Sequence, residues 1–110
     1  GIDRVEWMPE ASFGQSTHWL TACTLAGGAD PAGLIATLAA ERIEARRVWK
    51  PMHLQPLFAG AAYYRHGEDQ DVAADLFERG VCLPSGSNLS EADLDRIVNA
   101  LRRAILSDQS

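Results

Sequence analysis

Apolar and polar residues take three different spacings along this chain, and each spacing predicts a different element. Through Thr17–Leu25 the period is two: Trp19, Thr21, Cys23 and Leu25 share one face of an extended chain, and His18, Leu20, Ala22 and Thr24 the other. Neither face is fully polar, which predicts a strand covered on both sides and closed by Gly27-Gly28. From Asp30-Pro31 the period becomes helical. The aspartate can accept from the free N–H groups of the first turn, and proline at the first helical position loses nothing by lacking its own. Leu34, Ile35, Leu38 and Ala39 then share a face that Ile43 extends, predicting a helix from Pro31 to about Arg42.

Ala45–Lys50 reads as a short strand ended by Pro51, and the proline-punctuated run from Met52 to Ala59 as a loop. Tyr63–Gly67 continues as irregular structure. Asp71–Arg79 reads as a second helix with Val72, Ala73, Leu76 and Phe77 buried and Gly80 as a left-handed stop. Val81-Cys82-Leu83 is a third strand, and Pro84–Leu89 a turn. The last helix opens on Ser90 and Asp93, an S-x-x-D variant of the capping box, with Leu89 and Leu94 at the positions of a hydrophobic staple. Leu94, Ile97, Val98, Leu101 and Ile105 trace its apolar face, opposite Asp95, Arg96, Asn99, Arg102 and Arg103, and the arginines suit the negative end of the helix dipole.

The expected order is therefore strand, helix, strand, loop, helix, strand, helix. It defines an α/β domain, a small three-stranded sheet packed with about three helices, over residues 17–106. Residues 1–16 form a lead-in segment with a short extended piece near Val5–Met8, and residues 107–110 a polar tail.

Composition narrows what such a domain does. At 110 residues and 46% hydrophobic, the chain has apolar content for one real core. Its net charge of −5 argues against an electrostatic nucleic-acid binder. No apolar run approaches the roughly 20 residues of a membrane span, no secretion signal is recognisable, and the expected compartment is the cytoplasm. Cys23 and Cys82 read as two free thiols. Together with His18, His53 and His66 they lack metal-ligand spacing, so no metal site is expected. A nucleophilic Cys82 with His53 as base is formally available, but a thiol flanked by Val81 and Leu83 in a strand is usually inert. Arg46-Arg47 reads as a solvated edge or a helix-end partner for Glu41 or Glu44, with an anion site as the alternative. There are nine arginines and one lysine, so any lysine chemistry rests on Lys50 alone.

The segment Trp49–Phe58 (WKPMHLQPLF) stands apart. Pro51 and Pro56 limit its backbone, so Trp49, Lys50, His53 and Gln55 would be displayed with less entropy to lose on binding. Composition alone supports equally a rigid loop that packs Trp49, Leu54 and Phe58 under a helix.

These residues also carry a family resemblance. Trp49-Lys50-Pro51-Met52-His53-Leu54-Gln55-Pro56, followed about twenty residues later by the run from Ala74 to Ser90 (ADLFERGVCLPSGSNLS), resembles the C-terminal end of DegT/DnrJ-type sugar aminotransferases. Met8-Pro9-Glu10 and Ser16–Thr21 resemble the stretch leading into that family's small domain. The resemblance implies the C-terminal small domain of an aspartate-aminotransferase-type (fold type I) pyridoxal-phosphate enzyme. It also implies a parent, expected to be a homodimer, that aminates nucleotide-linked keto sugars for cell-surface polysaccharides. The parent's N-terminal large domain, with the Schiff-base lysine and most of the phosphate cradle, would precede Gly1. Lys50 does not stand in that lysine's motif, so no catalytic or cofactor-binding residue is expected here, and the isolated chain is expected to be inactive. The resemblance further implies that the Trp49–Pro56 loop faces the active-site cleft, with His53, Lys50, Gln55 and Trp49 as substrate-binding candidates. The competing expectation is a stand-alone, non-catalytic α/β binding or dimerisation module.

Overall fold

The computed structural model describes residues 3–107; Gly1, Ile2 and the tail residues 108–110 lie outside the described residues. Four strands, β1 (Val5–Trp7), β2 (Thr21–Leu25), β3 (Arg46–Arg47) and β4 (Gly80–Leu83), form one sheet in the order β1-β2-β4-β3, antiparallel at every pairing. The helices are α1 (Pro31–Ala40), α2 (Val72–Arg79) and α3 (Glu91–Ser107), and two single 3₁₀ turns, Met52–Leu54 and Pro56–Phe58, lie between β3 and α2. The expected α/β architecture and element order hold. The sheet has one strand more than expected, because Val5–Trp7 pairs with β2 in the register Val5↔Leu25, Trp7↔Cys23.

Strand lengths are set by their partners. The alternation from Thr17 predicts a nine-residue strand, yet β2 begins only at Thr21. His18 takes a left-handed φ of 53°, which breaks the extended run. At the other end of the pairing, Thr21 faces Leu83, and the next residue of that strand, Pro84, has no N–H to donate. Beyond the ladder, the Thr21 amide donates to Ser85 Oγ at 2.7 Å, and that hydroxyl donates to the Leu83 carbonyl at 2.9 Å. Likewise β3 is two residues rather than six: Arg46 and Arg47 pair with Cys82 and Val81, and in that antiparallel register the chain beyond Val48 runs past Gly80, the start of β4, onto α2.

The core fills the space between the sheet and the α1/α3 pair. It comprises Cys23 and Leu25 from β2, Leu34 and Leu38 from α1, Ile43, Ala45, Val81 and Leu83, and Ile97, Ala100, Leu101, Ala104 and Ile105 from α3. Asp30 caps α1 as expected, accepting from the amides of Ala32 and Gly33 at 3.1 Å each. The helix closes two residues early. The Arg42 amide donates to Ala39 O and the Ile43 amide to Leu38 O, with Arg42 left-handed at φ 62°. This is a Schellman closure, and it brings Ile43 back onto Leu38 in the core.

The capping box of α3 forms reciprocally: the Ser90 amide donates to Asp93 Oδ2 and the Asp93 amide to Ser90 Oγ, both at 3.1 Å. Its buried stripe is rotated from the expected one. Leu94 and Val98 stay partly exposed while Ala100 and Ala104 are buried, and these small side chains let α3 lie close to α1. Two of the α3 arginines reach the C-cap residue of α1: Arg96 donates to the Glu41 carbonyl, and Arg103 pairs with the Glu41 carboxylate at 2.8 Å.

Helix α2 differs from expectation twice. None of Val72, Ala73, Leu76 or Phe77 is fully buried. Gly80 is extended (φ −89°, ψ 142°) and not left-handed. It is needed for space, because a Cβ there would sit 2.4 Å from the Leu76 carbonyl oxygen and 2.9 Å from the Val48 methyls. No helix among the described residues is long and apolar enough to cross a membrane.

Candidate functional site

The candidate loop leaves β3 through Val48 and is built by its prolines. Pro51 is in the polyproline region (φ −57°, ψ 146°), the first 3₁₀ turn follows, Gln55 is extended, and Pro56 opens the second turn. The four predicted site residues divide into two pairs. Trp49 and Lys50 are exposed, and the Trp49 ring tilts against that of Trp19, centroids 6.0 Å apart. Gln55 and His53 turn inward. Gln55 Nε2 donates to the Lys50 carbonyl at 3.1 Å, so this side chain braces its own loop.

His53 is largely enclosed, with 14% of its side chain exposed. Its Nε2 lies 2.8 Å from Asp71 Oδ2, and its ring stacks on Tyr63 with centroids 3.5 Å apart and 6° between the planes. Tyr63 donates its hydroxyl to the other carboxylate oxygen, Asp71 Oδ1, at 2.8 Å. The same Oδ1 accepts the Ala74 amide at 3.1 Å, which makes Asp71 the N-cap of α2. One carboxylate thus ties together the loop, the Tyr63 segment and the start of α2. The turn that brings Tyr63 back to Asp71 is closed by a bridge between Gly67 and Gln70.

Partial burial pushes the Asp71 carboxyl up, but hydrogen bonds from Tyr63, the Ala74 amide and His53 outweigh it and hold the group below the usual aspartate range. The Tyr63 phenol is raised, chiefly by its hydrogen bond to Asp71 and then by burial. At neutral pH, therefore, Tyr63 is a donor and Asp71 purely an acceptor. A shallow recess lined by Tyr63, Tyr64, Arg65, Gly67 and Glu68 opens beside the cluster. Sequence reasoning singled out neither Tyr63 nor Asp71 as part of a site. Asp71 carried a cap signal, being an aspartate just ahead of an apolar helical stripe, but its partners lie eight and eighteen residues away and no periodicity links them.

The remaining candidates carry no reactive chemistry. Arg46 pairs with Glu44 at 2.7 Å as a solvated edge, and Arg47 lies 4.2 Å over the Phe77 ring while donating to the Phe77 carbonyl. Cys23 and Cys82 are free thiols one residue out of register on adjacent strands, so their side chains leave opposite faces of the sheet. Burial, with a smaller contribution from Cys82, raises the Cys23 thiol to about 11, and burial raises Cys82 as well. Neither is a thiolate nucleophile at neutral pH.

An antiparallel sheet with two helices on one face and a stiff loop at its edge makes this a small α/β domain. The chain belongs to the DegT/DnrJ/EryC1/StrS aminotransferase family, which it matches over residues 2–102. Over 100 residues it is 48% identical to a Bacillus subtilis (strain 168) protein named Putative pyridoxal phosphate-dependent aminotransferase EpsN, covering 91% of this chain and 26% of that protein. It is 32% identical to GDP-perosamine synthase of Caulobacter vibrioides, covering 87% of this chain and 25% of that one. The chain thus spans about a quarter of the length of these curated relatives. Among solved structures, a DegT DnrJ EryC1 StrS aminotransferase from Brucella abortus superposes with a TM-score of 0.76 at 28% identity, over 92% of this chain and 26% of the other. The aminotransferase TlmJ from Streptoalloteichus hindustanus superposes with a TM-score of 0.79 over 99% of this chain and 28% of that one; at 15% identity it speaks for the fold alone.

Proposed function

We propose that this chain is the C-terminal part of a pyridoxal-phosphate-dependent aminotransferase that aminates nucleotide-linked keto sugars for cell-surface polysaccharides. The observation that carries the reading is the family match over residues 2–102 combined with coverage of only about a quarter of the relatives. A relative named for a GDP-linked sugar supports the substrate class. The exposed rings of Trp7, Phe13, Trp19, Trp49 and Tyr64 support a partner, because a surface this rich in aromatics suits coverage by a large domain or a second subunit. In this reading the parent is a cytoplasmic homodimer.

The residues of this chain do not fit the cofactor by themselves. Pyridoxal phosphate supplies an electron sink and needs a positioned lysine. Lys50 is the single lysine and is exposed on the loop, not set in a pocket. The cofactor's lysine and phosphate cradle therefore belong to the rest of the parent, and this chain contributes the loop. Trp49 offers an aromatic face and Lys50 a positive charge to the nucleotide-sugar, His53 a ring nitrogen, and Gln55 a brace that keeps Lys50 in place.

The test is the full-length protein encoded at this locus, purified with the cofactor and assayed for transamination of nucleotide-linked keto sugars. The reading expects turnover there, and no stoichiometric borohydride-trapped adduct on Lys50 of the 110-residue chain. A locus with no aminotransferase sequence upstream of this segment, or a full-length protein that aminates no such sugar, overturns it.

A further inference from the structure

The Asp71 cluster has a consequence for the chemistry that His53 offers a ligand. A carboxylate has no proton to give, so the 2.8 Å contact between Asp71 Oδ2 and His53 Nε2 requires the hydrogen to sit on Nε2. In the neutral ring the other nitrogen, Nδ1, then carries only a lone pair. It is not sealed in. No buried side-chain nitrogen or oxygen among the described residues lacks a partner, and Nδ1 has none, so it is reached by solvent. The ring cannot readily turn to exchange its nitrogens, because Tyr63 stacks on it and is itself fastened to the same carboxylate.

We propose that Asp71, steadied by Tyr63, is a positioning residue that locks His53 as its Nε2–H tautomer, leaving Nδ1 as a hydrogen-bond acceptor for a sugar hydroxyl rather than an anchor for phosphate. The proposal rests on the aminotransferase reading for the ligand's identity. The lock itself rests only on contacts within this chain. A bare imidazole lone pair attracts an O–H and repels a phosphate oxygen, which also brings lone pairs and negative charge. The lock therefore assigns the loop's anion-binding role to Lys50 and leaves His53 to read the sugar.

One substitution inverts the arrangement without removing the cap. In Asp71→Asn the amide oxygen can keep the Tyr63 hydroxyl and the Ala74 amide, and asparagine is as good an N-cap as aspartate. Its NH2 then faces His53 Nε2 as a donor, so the ring proton moves to Nδ1. Tyr63→Phe keeps the stack and leaves Asp71 in charge of the tautomer.

The experiment is long-range 1H–15N correlation NMR of the imidazoles in the 110-residue chain at neutral pH, with His53 assigned by its loss in His53→Gln. The expected result is one protonated Nε2 and one unprotonated Nδ1 in the parent chain and in Tyr63→Phe, and the reverse in Asp71→Asn. Titration with sulfate, an oxyanion with no O–H to donate at neutral pH, should leave the His53 nitrogens unmoved in the parent chain and shift them in Asp71→Asn. An averaged tautomer mixture or an imidazolium in the parent chain overturns the lock. Saturable movement of Nδ1 by sulfate in the parent chain overturns the hydroxyl role. None of these readouts uses transamination, so failure of the aminotransferase reading would leave them standing and be recognised separately.

Discussion

The two halves of this domain are held together by different physics. Strands β2 and β4 with helices α1 and α3 enclose an entirely apolar core in which Leu38 and Val81 have no exposure at all. Between Arg46 and Arg79, by contrast, no residue is fully buried. That second region is stitched by directional contacts: the His53–Asp71–Tyr63 cluster, Arg47 on Phe77, the Asp75–Arg79 pair and two prolines. The core half resists change by excluding water, which is cumulative and tolerant of angle. The stitched half depends on a few hydrogen bonds whose geometry and protonation must be right. A domain built this way has a water-excluding platform and an edge shaped by a few polar contacts.

The comparison breaks most easily at its strongest point. Leu101→Ala should cost about 2–5 kcal/mol, whereas Leu76→Ala on the half-exposed face of α2 should cost less than about 1 kcal/mol. Denaturant midpoints measure both, and equal losses would mean that the second region has a core of its own. Gly80→Ala comes next. The methyl would be driven into the Leu76 carbonyl where α2 meets β4, and a cost of about 1–3 kcal/mol is expected from overpacking. Because this residue joins the two regions, hydrogen exchange should show α2 loosening more than α3. Ser90→Ala removes one side of the reciprocal cap and should cost about 0.5–2 kcal/mol in thermal or chemical denaturation. An unchanged midpoint would show that α3 does not depend on that start.

Acid sharpens the contrast at the smallest scale. Asp71 and Asp75 both have folded values below the ordinary 3.8, the first through Tyr63, Ala74 and His53 and the second through Arg79. Between those values and 3.8 the unfolded chain binds more protons than the folded one. Their contribution is therefore complete well above 3.8 and is lost as the pH falls through the folded values. Hydrogen exchange followed downward from neutral pH should show the α2 amides losing protection before the core amides of β4. The opposite order would place the acid-sensitive contacts in the wrong half.

Legibility in the sequence followed the same division. Elements with local signatures read correctly: the Asp30-Pro31 start of α1, the Ser90/Asp93 box of α3 and the Val81–Leu83 strand are all present. Errors arose where the deciding contact is distant. The chain between Thr17 and Leu20 alternates like a strand, but no strand among the described residues pairs with it. Leu94 and Val98 look like core, yet the alanines at 100 and 104 win the inner face because close helix approach favours small side chains. Gly80 looks like a helix stop, and its reason is instead the Leu76 carbonyl above it. In the candidate site, the pattern W-K-P-M-H-L-Q-P located the loop, and its two prolines gave its stiffness. That His53 faces inward, onto a tyrosine and an aspartate far along the chain, has no trace in local spacing.

The sheet's two borders disfavour self-assembly by strand addition in a chain with so many uncovered rings. One border, β1, is three residues long and is followed by Pro9; the other, β3, is only Arg46–Arg47, doubly charged and followed by Pro51. An incoming strand would find too few free amides and carbonyls to form a ladder, and would meet two positive charges along the shorter side. Such borders make cross-β growth from the folded domain unfavourable and leave the exposed rings, not the sheet edges, as the surface open to packing.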